Sequence, residues 1–185
     1  NLNLKGVHFQ STLRRTYPMD AVAGQLLGLT QIDDGTGIDG IEKKFNDVLA
    51  GQAGHRIEVR DQLLGETVRI DEVRKPTAGK SITLTIDADI QRKMEEVMIA
   101  TRAQYKAKGV SGIVMDPRSG AVVAIGSVPR INPNNRAKLN PDAMRLRPVT
   151  DAYEPGSVSK VVTAAGPLDG GLTTPTTNYN LPPFI

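Results

Sequence analysis

The chain has 185 residues, of which 39% are hydrophobic and 23% charged, and its formal net charge is +3. This composition is typical of a globular protein with one domain or parts of two. The chain has no cysteine, and its two histidines, His8 and His55, lie far apart, so we expect neither disulfides nor a metal site. Aromatic residues make up only 4%, which argues against a nucleic-acid partner, and nothing in the composition indicates a cofactor.

The first part of the chain is rich in glycine and charge, with short apolar patches. Residues 20–28 predict a short helix that ends at Gly28. Residues 38–49 carry apolar side chains at helical spacing and predict an amphipathic helix of about three turns. Alternation in two further segments predicts a half-exposed strand pair at residues 56–60 and 66–70.

A boundary between two domains is predicted where the composition changes. Residues 75–79 combine proline and glycine, as linkers do. We therefore expect one domain at residues 1–79 and a second at residues 80–185.

The second predicted domain begins with a strand and a long helix. Residues 81–86 alternate apolar and polar side chains, which predicts a strand. Asp87 is placed to cap a helix over residues 88–106. The apolar residues at helical spacing predict its buried face, which we expect to comprise Ile90, Met94, Val97 and Met98.

Two apolar runs, residues 111–115 and 121–125, flank a turn that contains Pro117 and Gly120. This pattern predicts a β-hairpin. Because both runs are apolar on both faces, we expect both strands to be covered by helices. Residues 128–150 show little periodicity and predict a long irregular loop, a type of segment that is often functional.

The segment from Glu154 to Lys160 reads Glu-Pro-Gly-Ser-Val-Ser-Lys and is followed by an apolar run. It predicts a helix that starts near Ser157, and we expect Gly166-Pro167 to kink or interrupt that helix. Positions i and i+3 share a helix face, so Ser157 and Lys160 could meet.

Such a pair has a definite chemistry. A serine hydroxyl becomes a nucleophile when a base removes its proton, and a neutral lysine can be that base. The free N–H groups at a helix start can stabilise a tetrahedral oxyanion, and Gly156 allows close approach of another backbone there. The bland alternative is an ordinary helix start, with Ser157 as a capping residue and Lys160 in solvent. Four letters are too short a pattern to decide between these interpretations.

The wider pattern resembles the class B penicillin-binding proteins, the monofunctional peptidoglycan D,D-transpeptidases. Pro155-Gly156-Ser157 with Lys160 is similar to their active-site motif, and the loop Asn132–Asn135 is closest to the cell-division branch. Further segments match in the family's order: Arg15-Thr-Tyr-Pro18 with Ala23 and Gly28, Gly37–Glu42 followed by Leu49, Gly51 and Gly54, Thr85–Asp87 with Gln91, Asp116–Gly120, Asn140–Arg145 and Thr150-Asp151.

The resemblance implies an α+β fold: a pedestal domain of the dimerisation type, then the first part of a transpeptidase domain with an antiparallel sheet and helices. It implies that Ser157 is the acylated nucleophile and Lys160 its general base, with Gly156 near the oxyanion region. The implied activity is cross-linking of peptidoglycan stem peptides that end in D-Ala-D-Ala, during septal wall synthesis, with β-lactams acylating the same serine.

The implied partners are stem peptides, β-lactam antibiotics and other membrane proteins of the division and wall-synthesis machinery. The implied location is the plasma membrane, with the catalytic domain on the periplasmic or extracytoplasmic side. No run of about 18 apolar residues occurs in the sequence, so no transmembrane anchor is predicted within it.

The sequence also departs from the family pattern. Val158-Ser159 stands where the family usually has threonine and a bulky residue, and we expect Ser159 to be structural. The family's S-x-N and K-T-G motifs do not occur. We therefore expect the 185 residues to be a portion of a longer protein and to be inactive alone.

Two other functions share parts of this pattern. A serine β-lactamase or β-lactam sensor uses the same serine and lysine, although such proteins generally lack the pedestal-like residues 14–79. A non-catalytic interaction fragment of the wall-synthesis machinery would fit residues 1–79 in particular.

Overall fold

The computed structural model describes residues 14–60 and 67–180 of the chain. They belong to two compact units that divide between Thr150 and Asp151. Helices and antiparallel hairpins are mixed along the chain, so the predicted α+β fold class is confirmed. His8 and Glu66, which entered the predictions above, lie outside the described residues.

The first unit contains, in chain order, α1 (Gly24–Leu27), α2 (Gly40–Lys44), α3 (Asn46–Leu49), β1 (His55–Arg60), β2 (Thr67–Arg74), α4 (Ala88–Gln104), β3 (Val110–Met115), β4 (Val122–Val128), a 3-10 turn (Arg136–Lys138), α5 (Pro141–Met144) and α6 (Arg147–Thr150). The second unit contains a 3-10 turn (Gly156–Ser159) and α7 (Lys160–Asp169). Within the described ranges, no helix is both long and apolar enough to cross a membrane.

The short helix predicted over residues 20–28 is confirmed in its second half, as α1. Its end is set by Gly28, which has a φ of +82° and donates its N–H to the Gly24 carbonyl at 2.9 Å. A Cβ atom at Gly28 would lie 2.0 Å from the Asp39 carbonyl oxygen. The residue must therefore be glycine both for its backbone angle and for the close crossing of the two segments.

The single helix predicted over residues 38–49 is wrong in one respect, because the structure divides it into α2 and α3. Phe45 leaves helical geometry, with φ −112° and ψ 22°. The Asn46 side chain accepts a hydrogen bond from the Gly37 N–H at 2.8 Å. This contact holds the start of α3 against the segment before α2, and the helical periodicity of the apolar residues cannot reveal it.

The predicted strand pair is confirmed as the antiparallel hairpin β1–β2, which is longer than predicted. Its apolar side chains are half exposed, for example Ile57 at 49%. After the hairpin, Thr77 exchanges two backbone hydrogen bonds with Gln52, at 2.8 and 2.9 Å. The predicted linker at 75–79 is thus held against the preceding loop, and the domain boundary at 79/80 stays a prediction.

Residues 81–86 do not form the predicted strand. Their side chains still alternate between half-buried and exposed, as the sequence indicated. No strand in the described part of the chain pairs with them, so the alternation reflects contact on one side rather than a hydrogen-bonded ladder.

Helix α4 is confirmed, and Asp87 caps it by accepting the Asp89 and Ile90 N–H groups at 2.9 Å. The predicted buried face is partly wrong, since Ile90 and Val97 are 42% and 54% exposed. The buried face instead contains Gln91, Glu95 and Met98. Two polar residues replace apolar ones there because the structure gives them hydrogen-bond partners, which periodicity does not encode.

Helix α4 packs on the β3–β4 hairpin, whose strands pair from Val110↔Val128 to Met115↔Val122. Gly112 and Gly126 lie opposite one another in the two strands. A Cβ atom at Gly112 would be 3.2 Å from the sulfur atoms of both Met94 and Met98. The two glycines therefore form a notch that receives the methionine side chains.

The hairpin confirms the prediction for residues 111–125, but only one of its strands is covered as expected. In β4 the residues from Ala124 to Val128 are buried, whereas in β3 Ile113 and Met115 are 49% and 53% exposed. Of the described helices, α1 contacts β4, and α4 and α6 contact both strands. Helix packing is thus concentrated on β4, and the prediction that β3 is also covered is wrong.

The segment predicted as a loop, residues 128–150, holds only one-turn helices, but it is well packed. Gln25 donates from Nε2 to the carbonyls of Pro129 and Ala143, at 3.0 and 2.8 Å. Asn134 bonds the backbone N–H and carbonyl of Tyr17 at 3.0 and 2.8 Å. Side-chain amides thus fasten this loop to the N-terminal segment.

The central polar contact of the first unit is the buried carboxylate of Glu95, which is 4% exposed. Its Oε1 accepts hydrogen bonds from the Ala23 N–H at 2.8 Å and from Gln91 Nε2 at 2.7 Å. Its Oε2 accepts one from Arg130 Nη1 at 2.6 Å. Gln91 also bonds the N–H and carbonyl of Ile125, both at 2.9 Å. One carboxylate thus joins the N-terminal segment, α4 and the segment after β4.

Replacing Gly28 with alanine is expected to destabilise the first unit by about 3 kcal/mol, from backbone strain and the clash with Asp39. Gly35 has a similar φ, +75°, but open space around it, so Gly35→Ala should cost only about 1 kcal/mol. Urea unfolding of both variants measures the difference. Equal losses would show that the close crossing at Gly28 carries no energetic weight.

Removing the Glu95 carboxylate is expected to cost about 3 kcal/mol, the low end for a broken buried pair, because Arg130 is 34% exposed. Glu96, its neighbour, is 58% exposed and contacts Lys93 at 3.4 Å. Glu96→Ala should therefore cost less than about 0.5 kcal/mol. Denaturant midpoints of Glu95→Ala and Glu96→Ala provide the comparison, and similar midpoints would contradict this account of the Glu95 contacts.

Candidate active site

Ser157 and Lys160 lie at the start of the helical segment of the second unit. Ser157 is the second residue of the 3-10 turn, and Lys160 is the first residue of α7. Both residues are exposed. The prediction of a helix that starts near Ser157 is thus confirmed, with the refinement that its first turn is 3-10.

The local sequence explains the abrupt start. Pro155 has a φ of −71°, which its ring imposes. Gly156 then adopts a φ of +55°, in the left-handed region that favours glycine, with no atom near the position of an added Cβ. The chain therefore reverses at Gly156 and enters the helix with the Ser157 side chain in an exposed position.

The 3-10 turn determines the relative positions of the Ser157 and Lys160 side chains. The Lys160 N–H donates to the Ser157 carbonyl, and in 3-10 geometry the side chains at i and i+3 eclipse one another. The backbone thus places both residues on one face. Among the described residues, however, no hydrogen bond joins Ser157 Oγ to Lys160 Nζ, and the Lys160 side chain is exposed.

Ser159 differs from Ser157 in its bonding. Its hydroxyl donates to the Gly156 carbonyl at 2.7 Å, which stabilises the turn and agrees with the structural role expected for it. The Ser157 hydroxyl makes no such contact with the described part of the chain. Of the two serines, Ser157 is the one whose oxygen is available for reaction.

Donors for an oxyanion also lie at this position. The Val158 N–H bonds the Pro155 carbonyl at 3.2 Å, whereas the Ser157 N–H makes no hydrogen bond with any described residue. A free N–H at the start of a helical segment can stabilise negative charge on a nearby oxygen. The assignment of Gly156 to the oxyanion region, and of Ser157 and Lys160 to catalysis, stays a prediction.

Gly166-Pro167 does not interrupt this helix, because α7 continues through Pro167 to Asp169. The alternative that these residues kink the helix stays a prediction. A residue before proline is normally kept out of helical geometry by contact between its Cβ and the proline ring. Gly166 has no Cβ, which removes much of that restriction. The helix ends at Gly170, followed by Gly171 with a φ of +65°.

The structure also shows features that the sequence did not indicate. In the first unit, Arg15 Nε contacts Glu42 Oε1 at 2.7 Å, and the Glu42 side chain is only 8% exposed. The spacing of 27 residues between them gives no local signal. Within the described ranges, no three acidic or histidine side chains are grouped so that they could hold a metal ion.

Two family models match the chain. The Penicillin-binding Protein dimerisation domain matches residues 1–84, and the Penicillin binding protein transpeptidase domain matches residues 110–185.

Named relatives are similar over almost the whole chain. The peptidoglycan D,D-transpeptidase FtsI of Escherichia coli is 33% identical over 183 residues, which are 99% of this chain and 31% of that protein. The probable peptidoglycan D,D-transpeptidase PbpC of Pseudomonas aeruginosa is 37% identical over 171 residues, 92% of this chain and 30% of that protein. The chain thus spans about a third of the length of these relatives.

Solved structures agree. The crystal structure of penicillin-binding protein 3 from Mycobacterium tuberculosis, without ligand, is 28% identical, with a TM-score of 0.72 over 92% of this chain and 36% of that one. The same protein complexed with aztreonam is 27% identical, with a TM-score of 0.72, and covers 94% of this chain and 36% of that one.

A dimerisation domain followed by a transpeptidase domain defines the class of protein. The chain belongs to the class B penicillin-binding proteins, and it holds the dimerisation domain and the start of the transpeptidase domain. The predicted pedestal and partial transpeptidase domain are therefore confirmed as the fold.

Gly156→Ala should disturb the start of the helix, because a left-handed φ costs alanine about 1 kcal/mol. The Cα chemical shifts of residues 157–160 should then move toward coil values. Gly171→Ala is the matched control: Gly171 also has a positive φ and open space, so it should loosen only the end of α7. Unchanged shifts at 157–160 in Gly156→Ala would contradict the role of Gly156.

Proposed function

We propose that the chain is part of a peptidoglycan D,D-transpeptidase in which Ser157 is the nucleophile and Lys160 its general base. The observation that carries this proposal is the placement of Ser157. Its hydroxyl is exposed and unbonded among the described residues at the start of a helical segment, and Lys160 follows on the same face. The relatives named as D,D-transpeptidases, such as FtsI of Escherichia coli, support the reaction class.

In the proposed acylation step, Ser157 Oγ attacks the carbonyl carbon between the two D-Ala residues of a stem peptide. Lys160 takes the hydroxyl proton as the C–O bond forms. The Ser157 N–H stabilises the tetrahedral oxyanion together with donors from the rest of a complete transpeptidase domain. The C–N bond then breaks, and the terminal D-Ala leaves as an amine after it has received the proton.

The acyl-enzyme ester is resolved by a second peptide. An amine of a neighbouring stem peptide attacks the ester carbonyl, the C–O bond to Ser157 breaks, and the hydroxyl regains its proton. The product is a new amide cross-link. A β-lactam would acylate Ser157 in the same way, and a relative of similar fold from Mycobacterium tuberculosis is known in complexes with aztreonam and ampicillin.

Lysine catalysis requires an amine that is neutral in the reacting state, which burial or a neighbouring cation favours. Lys160 is exposed among the described residues. The proposal therefore requires further parts of a complete transpeptidase domain to enclose Lys160. We expect Ser157 to be acylated only slowly in the 185 residues alone.

The cellular setting is also part of the proposal. We place the complete protein at the plasma membrane, with the catalytic domain outside the cytoplasm, among membrane proteins of wall synthesis. The septal role rests on the resemblance of the Asn132–Asn135 loop to the cell-division branch of the family. The dimerisation-domain match at residues 1–84 favours a transpeptidase over a β-lactamase or β-lactam sensor.

Labelling with fluorescent penicillin tests the assignment. We expect the complete protein to be labelled and Ser157→Ala to lose the label entirely, since no ester can form without the hydroxyl. Ser159→Ala is the matched control: it should keep labelling within about threefold, because that hydroxyl only stabilises the turn by roughly 1 kcal/mol or less.

A label that survives Ser157→Ala would overturn the assignment of the nucleophile. Equal losses in both variants would show that the turn, rather than the Ser157 oxygen, is required. The 185-residue chain should show little labelling, and efficient labelling would contradict the need for further domain parts.

A further inference from the structure

The first unit contains a cavity of about 350 Å³ that is lined by three arginines. It lies between the N-terminal segment, the loop after α1 and the segment that follows β4. Its lining includes Arg14, Arg15, Thr30, Pro133, Asn134 and Arg136. No aspartate or glutamate belongs to that lining among the described residues, but Arg15 is paired with Glu42, so the positive charge of the cavity comes mainly from Arg14 and Arg136.

Most of the N–H donors of these arginines make no hydrogen bond with the described residues. Each guanidinium carries five N–H donors. Arg15 spends its Nε on Glu42, at 2.7 Å. Arg136 makes one long contact, from Nη2 to Thr30 Oγ1 at 3.4 Å. Within the described ranges, Arg14 and Arg136 form no ion pair, which leaves two uncompensated cations at one cavity.

A buried polar group that is not part of the cavity lining lies in the same part of the first unit. Tyr17 is only 4% exposed, and its hydroxyl has no hydrogen-bond partner among the described residues. Burial, and then the charge of Glu42, raise the pKa of Tyr17, whereas Arg15 and Arg136 act in the opposite direction, as does the nearby Thr30 hydroxyl.

The walls of the cavity would strengthen any charge interaction inside it. Thr30 is 2% exposed, and Pro133 is fully buried. Arg14 and Arg15 are themselves exposed, whereas Arg136 is half-buried, so these buried walls lower the local dielectric mainly around Arg136, where Coulomb attraction rises. An arginine fork binds a planar or tetrahedral oxyanion through two parallel hydrogen bonds, which lysine cannot do.

We propose that this cavity binds a small oxyanion, the carboxylate or phosphate group of a ligand, through Arg14 and Arg136. Thr30 and the free donors of Arg15 complete the site. The volume is that of a small-molecule site. All of its lining residues belong to the first unit, and the proposal does not depend on the chemistry of Ser157.

Titration with inorganic phosphate and, separately, with acetate tests the site, with backbone amide NMR of the protein at constant ionic strength. We expect saturable shifts at residues 14–15, 30–32 and 134–136 with at least one of the two anions. Saturation by phosphate alone identifies a phosphate ligand, and saturation by acetate alone a carboxylate ligand. Shifts that rise linearly with both anions would overturn the proposal.

Three variants distinguish anion binding at this cavity from an effect of the protein's net charge. Arg136→Gln should weaken binding about tenfold, through loss of one charged fork. Arg136→Lys keeps the charge without the fork and should fall between Arg136→Gln and the unchanged protein. Arg118→Gln removes an equal charge at the exposed hairpin turn and should change the affinity by less than about twofold, because distant surface charges are screened.

Amide shifts of α4 report whether each variant remains folded. Equal weakening by Arg118→Gln and Arg136→Gln would show that only the net charge matters, which would overturn the proposed site. Full affinity in a folded Arg136→Gln variant would overturn it as well.

Discussion

The architecture of the first unit depends on one buried carboxylate. The Glu95 carboxylate is buried, which is costly unless hydrogen-bond donors contact it. Ala23, Gln91 and Arg130 supply those donors from three separate parts of the chain. The N-terminal segment, α4 and the segment after β4 are therefore joined through one carboxylate, so we expect these elements to form cooperatively rather than singly.

Local signals in the sequence predicted most elements correctly. Asp87 as a cap, Gly28 as a helix end and Gly120 in the hairpin turn act through their immediate neighbours, and such effects can be inferred from a few adjacent residues. The failures involve distant partners. Gln91 and Glu95 interrupt the apolar periodicity of α4, and only the contacts with Ile125 and Arg130 explain why they are buried.

The candidate site shows the same division. The Pro-Gly break and the helical start at Ser157 were predictable because ring constraint and left-handed backbone act within a few residues. The environment of Lys160 was not, since burial of an amine depends on segments far away in sequence. The failure at Pro167 is instead local. Gly166 permits Pro167 inside α7, which a rule based on proline alone does not predict.

The glycine notch in the β3–β4 hairpin has a consequence for how this sequence can vary. Met94 and Met98 both reach the space that a side chain at Gly112 would need. A side chain at 112 would require the two methionine side chains to shift by a few tenths of an ångström, and a larger one would favour a shorter residue at 94 or 98. Substitutions at these positions are therefore coupled. Among homologous proteins, the hairpin glycines and the two helix positions should change together or not at all.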